Sequence, residues 1–131
     1  MIFVDTGAWF AAVVATDPDH NAAVAWLQAN KEYLLTTDYI VDETLTLLRM
    51  RKQRKKAQQI GDQFFNADLA ELYLLTEEDL RQAWEVFHHY DDKDWSFTDC
   101  TSKVVIEKLG LTHAFSFDHH FQQFGTVTVV P

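Results

Sequence analysis

The sequence predicts an α/β fold in which a central, mostly parallel sheet lies between two layers of helices. Short apolar stretches such as Ile2-Phe3-Val4 and Tyr33-Leu34-Leu35 alternate along the chain with longer stretches of helical periodicity. The apolar stretches run continuously instead of alternating with polar residues, as expected of strands covered on both faces. Size agrees: 131 residues suit one domain, which at this length buries roughly two thirds of the surface its unfolded chain exposes. A hydrophobic share of 47% and an aromatic share of 14% supply its core.

The elements follow in order. Ile2–Val4 is a short buried strand, and Thr6–Val14 a helix with Trp9, Phe10 and Val13 on one side. Asp17-Pro18-Asp19 is a turn, because proline fixes φ and the flanking aspartates bond their own backbone. A second helix at His20–Ala29 repeats Ala23, Val24 and Leu27 at helical spacing, and Tyr33–Thr37 is a second strand. Asp38 is placed to cap a third helix carrying Ile40, Val41, Thr44, Leu47 and Leu48. Ala57–Phe65 is a fourth helix and Glu71–Leu75 a strand. Thr76, with Asp79 three residues on, has capping-box spacing ahead of a helix at Glu77–His89. A charged loop, Tyr90–Trp95, precedes a helix from Phe97 to Leu109 that stops at Gly110, the usual residue for the left-handed C-terminal position. Ala114–Phe117 and Thr126–Val130 are the last strands.

Composition excludes several classes. A single cysteine, Cys100, forbids an intrachain disulfide. No apolar run approaches the roughly 20 residues of a membrane span, and no leader of basic, apolar and small residues precedes the first strand, so a cytoplasmic protein is expected. The net charge of -9 disfavours a polyanionic partner, yet Arg49, Arg51, Lys52, Arg54, Lys55 and Lys56 occupy one segment of eight residues. Such a patch attracts a phosphate backbone despite the overall sign. The bland alternative is a solvated connection between helices.

Four carboxylates stand at the ends of elements. Asp5 follows the first strand, Glu43 lies in the early turns of the third helix, Asp99 in the first turn of a late one, and Asp118 after a late strand. In parallel sheets, ligands bind beyond the carboxyl ends of the strands. Each acid also has an ordinary reading: Asp5 as a helix cap, Glu43 as a solvated residue, Asp99 in the S-x-x-D spacing of Ser96, and Asp118 as a turn residue. Together they place ionised groups at several apolar ends, where repulsion and desolvation cost free energy unless a cation intervenes. Oxygen donors select hard cations, Mg²⁺ or Mn²⁺. His113, His119 and His120 bring a transition metal into consideration, but His119 and His120 are adjacent instead of four apart on a helix face, which disfavours histidine ligation. Ser96, Ser102 and Ser116 lack a G-x-S-x-G setting, Cys100 lacks a partner, and the four glycines form neither a P-loop nor a dinucleotide fingerprint. A phosphoacceptor receiver domain fails too, since Asp5 has no acidic neighbour and no Lys or Arg follows Lys108.

Four stretches carry a family resemblance: Phe3-Val4-Asp5-Thr6-Gly7-Ala8-Trp9, Asp42-Glu43-Thr44-Leu45, Trp95-Ser96-Phe97-Thr98-Asp99-Cys100, and Ala114-Phe115-Ser116-Phe117-Asp118-His119-His120-Phe121 with Phe124-Gly125 after it. In residues and order the chain resembles the PIN-domain family, and especially the VapC-like toxins of prokaryotic toxin–antitoxin pairs, over residues 1–131 as a single domain. The third and fourth stretches are the specific ones. The resemblance implies a PIN-like three-layer fold and Mg²⁺- or Mn²⁺-dependent endoribonuclease activity on single-stranded or looped RNA. It also implies homodimerisation and inhibition by a small antitoxin protein. Asp5, Glu43, Asp99 and Asp118 match the family's catalytic, metal-binding acids, with Thr6 and Thr98 beside them in support. Gly7 stands where relatives often carry Ser. Arg49 to Lys56 would then guide RNA to the acids, Arg51 being roughly 12 Å along the helix from Glu43. A non-catalytic PIN module binding RNA or protein, and a standalone RNA-processing nuclease, are the alternatives.

Overall fold

Five parallel strands form one sheet in the order β3-β2-β1-β4-β5, in a computed structural model that describes all residues from Met1 to Pro131. The strands are β1 (Ile2–Val4), β2 (Leu34–Thr37), β3 (Glu71–Tyr73), β4 (His113–Phe115) and β5 (Thr128–Val130). Helices α1 (Thr6–Val13) and α2 (His20–Ala29) join β1 to β2, and α3 (Asp38–Met50) and α4 (Arg54–Phe65) join β2 to β3. α5 (Glu77–His89) and α6 (Phe97–Lys108) lead to β4, and the short α7 (His120–Gln123) precedes β5.

The first strand made is the central one. Phe3 lies in register with Leu35 of β2 on one side and Ala114 of β4 on the other. From β1 the chain steps outward to β2 and β3, then returns past β1 to β4 and β5. Right-handed crossovers make this reversal place the two sets of helices on opposite faces. Adjacent core residues accordingly point opposite ways. Phe115 packs on Trp26 of α2 at 4.2 Å between ring centroids, while Phe3 packs on Phe121 of α7 at 5.9 Å. The crevice where strand order reverses lies at the carboxyl ends of β1 and β4, the point at which such sheets bind ligands.

Most expected elements form, with shifted ends and some reassigned roles. Thr37, not Asp38, caps α3, its hydroxyl accepting from the Ile40 N–H at 3.1 Å. Asp38 instead accepts from the Leu75 N–H at 3.2 Å, tying α3 to the chain after β3. That strand stops at Tyr73; beyond it the Leu75 N–H donates to Asp38 and the Thr76 N–H to Asp79 instead of to a neighbouring strand. Helix α4 begins at Arg54, three residues before its apolar periodicity starts at Ala57, since charged residues fill its solvated first turn. β4 ends at Phe115, where Ser116 turns toward Asp5, and α7 arises in a stretch too short for periodicity to reveal. The expected capping boxes form at Thr76–Asp79 and Ser96–Asp99. No helix is long and apolar enough to cross a membrane.

Three helices end in the same motif. At the ends of α3, α4 and α6 the residues Lys52, Ala67 and Gly110 take φ of 62°, 56° and 65°. The N–H groups of Gln53, Asp68 and Leu111 each reach back to the carbonyls of Leu48, Gln63 and Ile106 at 2.8–2.9 Å. Glycine serves the third without strain; Lys52 and Ala67 adopt the left-handed conformation against the preference of a Cβ.

Candidate metal centre

Asp5 leaves β1 directly into α1. Its backbone is fixed on both sides, the N–H donating to Phe115 O at 3.0 Å and the carbonyl accepting from Trp9 N at 3.1 Å. Although Asp5 occupies the cap position, its carboxylate makes no capping bond and turns to the sheet edge instead, 4% exposed. There Ser116 Oγ, from the end of β4, donates to Oδ2 at 3.1 Å. Neighbouring parallel strands thus deliver an acid and a hydroxyl to one point.

From Ser116 a chain of bonds continues around the crevice. Its Oγ accepts from the Asp118 N–H at 3.0 Å, and Asp118 Oδ1 accepts from the His120 N–H at 2.9 Å. The His120 ring closes the circuit, with Nδ1 3.2 Å from Asp99 Oδ2 and 3.4 Å from Asp118 Oδ1. Asp99 arrives from the opposite side on α6. Ser96 and Asp99 cap each other there: the Ser96 N–H donates to Asp99 Oδ2, the oxygen that faces His120, and the Asp99 N–H to Ser96 Oγ, both at 3.0 Å. The capping role and the site role of Asp99 are therefore compatible: Oδ2 is committed, and Oδ1 is in none of these bonds.

The electrostatics follow from this crowding. Burial, joined by the charges of Asp99 and Asp118, pushes the Asp5 carboxyl up from its ordinary 3.8 to about 7, against the Thr6 N–H and the Ser116 hydroxyl. Burial and the charge of Asp118 likewise raise Asp99, opposed by the Ser96 N–H and by His120. Negative charge at this crevice is under-compensated by the protein's own groups. Thr6 adds a further signature, since its hydroxyl is buried without a hydrogen-bond partner. Three carboxylates, an imidazole and an orphaned hydroxyl next to Asp5 fit a divalent cation held mainly by oxygen.

The other expected residues are placed as follows. Glu43 is half-buried on α3 and makes no hydrogen bond or ion pair with the other three acids. Its neighbour in sequence, Thr44, is buried with an unpartnered hydroxyl. Thr98 lies in the first turn of α6, where its carbonyl accepts from Thr101 Oγ1 at 2.6 Å. Cys100 is buried, and its thiol is pushed up to about 11 by burial and the Asp99 charge, which suits the expected lack of a cysteine nucleophile. All six basic residues of the 49–56 segment are exposed: Arg49 in the last turn of α3, Arg51 and Lys52 in the turn, Arg54, Lys55 and Lys56 opening α4. Arg51 lines a groove together with Phe10, Phe117, Gly7 and Asp118, and with Asp17 and Asp19. One member of the basic segment thus borders the acidic crevice.

Two residues of the constellation were not legible beforehand. In sequence Ser116 offers only a serine without a nucleophile setting, and His120 only a histidine without helical ligand spacing. The Asp118-x-His120 spacing at a helix start is the signal that was available, because an aspartate there bonds the N–H two residues on and carries the ring with it.

Comparison with known proteins places this geometry. The PIN-domain family model matches residues 2–127. The 23S rRNA-specific endonuclease VapC20 of Mycobacterium tuberculosis is 32% identical over 140 residues, spanning 100% of this chain and 99% of that protein. A VapC ribonuclease of Archaeoglobus fulgidus is 33% identical over 123 residues, 90% of this chain and 77% of its own. The crystal structure of M. tuberculosis VapC20, described as a sarcin–ricin loop cleaving toxin, has a TM-score of 0.92 at 30% identity and covers 100% of both chains. The match of nearly the whole chain to the family model, and of the whole fold to a solved relative, show that this chain belongs to the PIN-domain family.

Proposed function

We propose that this protein is a metal-dependent endoribonuclease, acting as one PIN domain over residues 1–131 and as the toxin of a toxin–antitoxin pair. The observation that carries the reading is the convergence of Asp5, Asp99 and Asp118 at the strand-order reversal, two of them with raised pKa. Asp5 and Asp99 would be the central ligands of Mg²⁺ or Mn²⁺, Asp118 would complete the set, and Glu43 would join from α3 directly or through water. Such an ion supplies Lewis-acid polarisation of the phosphodiester and an acidified water for in-line attack. The protein's own groups do the positioning. Ser116 holds the Asp5 carboxylate, the Ser96 cap fixes Asp99, and Thr6 and Thr98 support the acids beside them. The products expected are 5′-phosphate and 3′-hydroxyl ends.

The substrate is single-stranded or looped RNA, which a crevice between strand ends admits more readily than a duplex. Since the full-length relative VapC20 is named for 23S rRNA and for the sarcin–ricin loop, a ribosomal RNA hairpin is the first substrate to test. Arg49 to Lys56 guides the strand, with Arg51 nearest the acids along the shared groove. An antitoxin blocks the site by placing a basic side chain, best an Arg, among the carboxylates. Homodimerisation would use the exposed aromatic pair of α5, Trp84 and Phe87, which are 59% and 41% exposed and stack on each other.

The test is hydrolysis of a labelled hairpin by the purified protein with Mn²⁺, with EDTA, and by Asp99→Asn. An asparagine retains an oxygen for the Ser96 N–H, so the cap survives while the ligand charge is lost. Cleavage only by the parent protein with metal is expected. Full activity in EDTA or in Asp99→Asn sinks the reading, and inactivity of the parent with metal leaves the non-catalytic module in its place.

A further inference from the structure

We propose that His120 is a nitrogen ligand of the divalent ion, which makes this a mixed carboxylate–imidazole centre that prefers Mn²⁺ to Mg²⁺. The proposal rests on the carboxylate site described above and adds a donor that the four acids do not include.

Position singles out this ring. The potential ligand atoms of Asp118, His119 and His120 all lie within 4.8 Å of one another. Of the two histidines, His119 is 75% exposed at its side chain and approaches only Asp118, at 3.7 Å. His120 is 19% exposed and stands between acids of different elements, 3.2 Å from Asp99 on α6 and 3.4 Å from Asp118 before α7. Its backbone is fixed as well. The N–H is bound to Asp118 Oδ1, and the next residue, Phe121, is fully buried against Phe3 and Phe124.

The hydrogen-bond inventory favours ligation over a simple ion pair. The two oxygens that Nδ1 faces already have backbone donors: Asp99 Oδ2 takes the Ser96 N–H and Asp118 Oδ1 takes the His120 N–H. Neither carboxylate needs the imidazole for satisfaction. A cation bound by Nδ1 and by the carboxylate oxygens left free would use this nitrogen, which stands within 3.4 Å of both acids without being needed by either. Imidazole nitrogen suits transition metals, whereas Mg²⁺ keeps to oxygen donors and gives up water reluctantly.

The experiment is pulsed electron paramagnetic resonance on the full-length protein loaded with Mn²⁺, with calorimetric titrations of Mn²⁺ and Mg²⁺. The parent is expected to show echo modulation from a directly bound ¹⁴N, retained in His119→Ala and absent from His120→Ala. Mn²⁺ affinity is expected to fall about tenfold or more in His120→Ala, near 1.4 kcal/mol, while Mg²⁺ affinity changes far less. Bound Mn²⁺ without ¹⁴N coupling in the parent overturns the proposal and leaves the carboxylate site standing, as does coupling lost only in His119→Ala. Absence of Mn²⁺ binding by the parent overturns the metal reading as a whole. The decisive spectrum is that of the unsubstituted protein, so a folding defect in a variant does not obscure it.

Discussion

Replacing Asp5 with Asn is expected to stabilise the metal-free protein at neutral and alkaline pH. The Asp5 carboxyl is raised from 3.8 to about 7, mainly by burial. A raised carboxyl holds its proton better in the folded state than in the unfolded one. Its contribution to stability is therefore complete below about pH 4 and disappears as pH rises through about 7. At about 1.4 kcal/mol per pH unit, the interval corresponds to roughly 4 kcal/mol. The titration is shared with Asp99 and Asp118, and the crevice relaxes and hydrates, so about 2 kcal/mol is the expected net gain for Asp5→Asn at pH 8. For a chain of this size that is a rise of roughly 5–8 °C in Tm. Asparagine can still accept from Ser116, so the geometry is kept. Melting curves in EDTA at pH 8 and pH 4.5 measure the effect: the variant should melt well above the parent at the first and near it at the second. Saturating Mn²⁺ should raise the parent's Tm far more than the variant's. A variant no more stable than the parent at pH 8, or a difference that ignores pH, refutes the account of crowded, desolvated acids.

Other predictions follow from features away from the crevice. Asp79 is 1% exposed; burial alone would raise its carboxyl, but hydrogen bonds from Lys108, the Thr76 N–H and Tyr73 hold it down at about 2. That stability is present above about pH 4 and lost as pH falls through about 2, so Asp79→Asn should cost roughly 1–2 kcal/mol in urea melts at pH 7, discounted for the half-exposed Lys108, with the cost vanishing in strong acid. Lys52→Gly relieves a left-handed lysine and should raise the unfolding free energy from urea melts by about 0.5–1 kcal/mol; a lower value would show that the lysine side chain contributes packing there. Replacing Arg51, Lys52, Arg54 and Lys55 with Ala should weaken RNA binding and flatten its salt dependence by about 0.7 per lost phosphate contact, with little change in Tm; an unaltered slope reduces the segment to a connection between helices.

The fold was legible because its signals are local. Continuous apolar triplets, two capping boxes and Gly110 mark elements without knowledge of what packs on them. The ends drifted wherever a distant residue decides, as at Leu75, where Asp38 captures an N–H from 37 positions away. At the site, Asp5, Asp99 and Asp118 were readable from their places at element ends. The groups that organise them were not, since Ser116 meets Asp5 across 111 positions and His120 meets Asp99 across 21. Glu43 shows the opposite limit: its motif is recognisable, yet no bond fixes its side chain among the other acids. The clamp of Lys108, Asp79 and Tyr73 also went unforeseen, being formed by three elements that only the finished packing brings together.

The placement of β1 at the middle of the sheet has a consequence for synthesis. Of the five strands β1 is the earliest in sequence, and it gains its second neighbour only when β4 has been made; that same late stretch brings Ser116, Asp118 and His120. A growing chain carries Asp5 for most of its translation with nothing to complete the crevice. The crevice is thus closed by the later part of the chain, and its carboxylates come together only when β4 docks on β1.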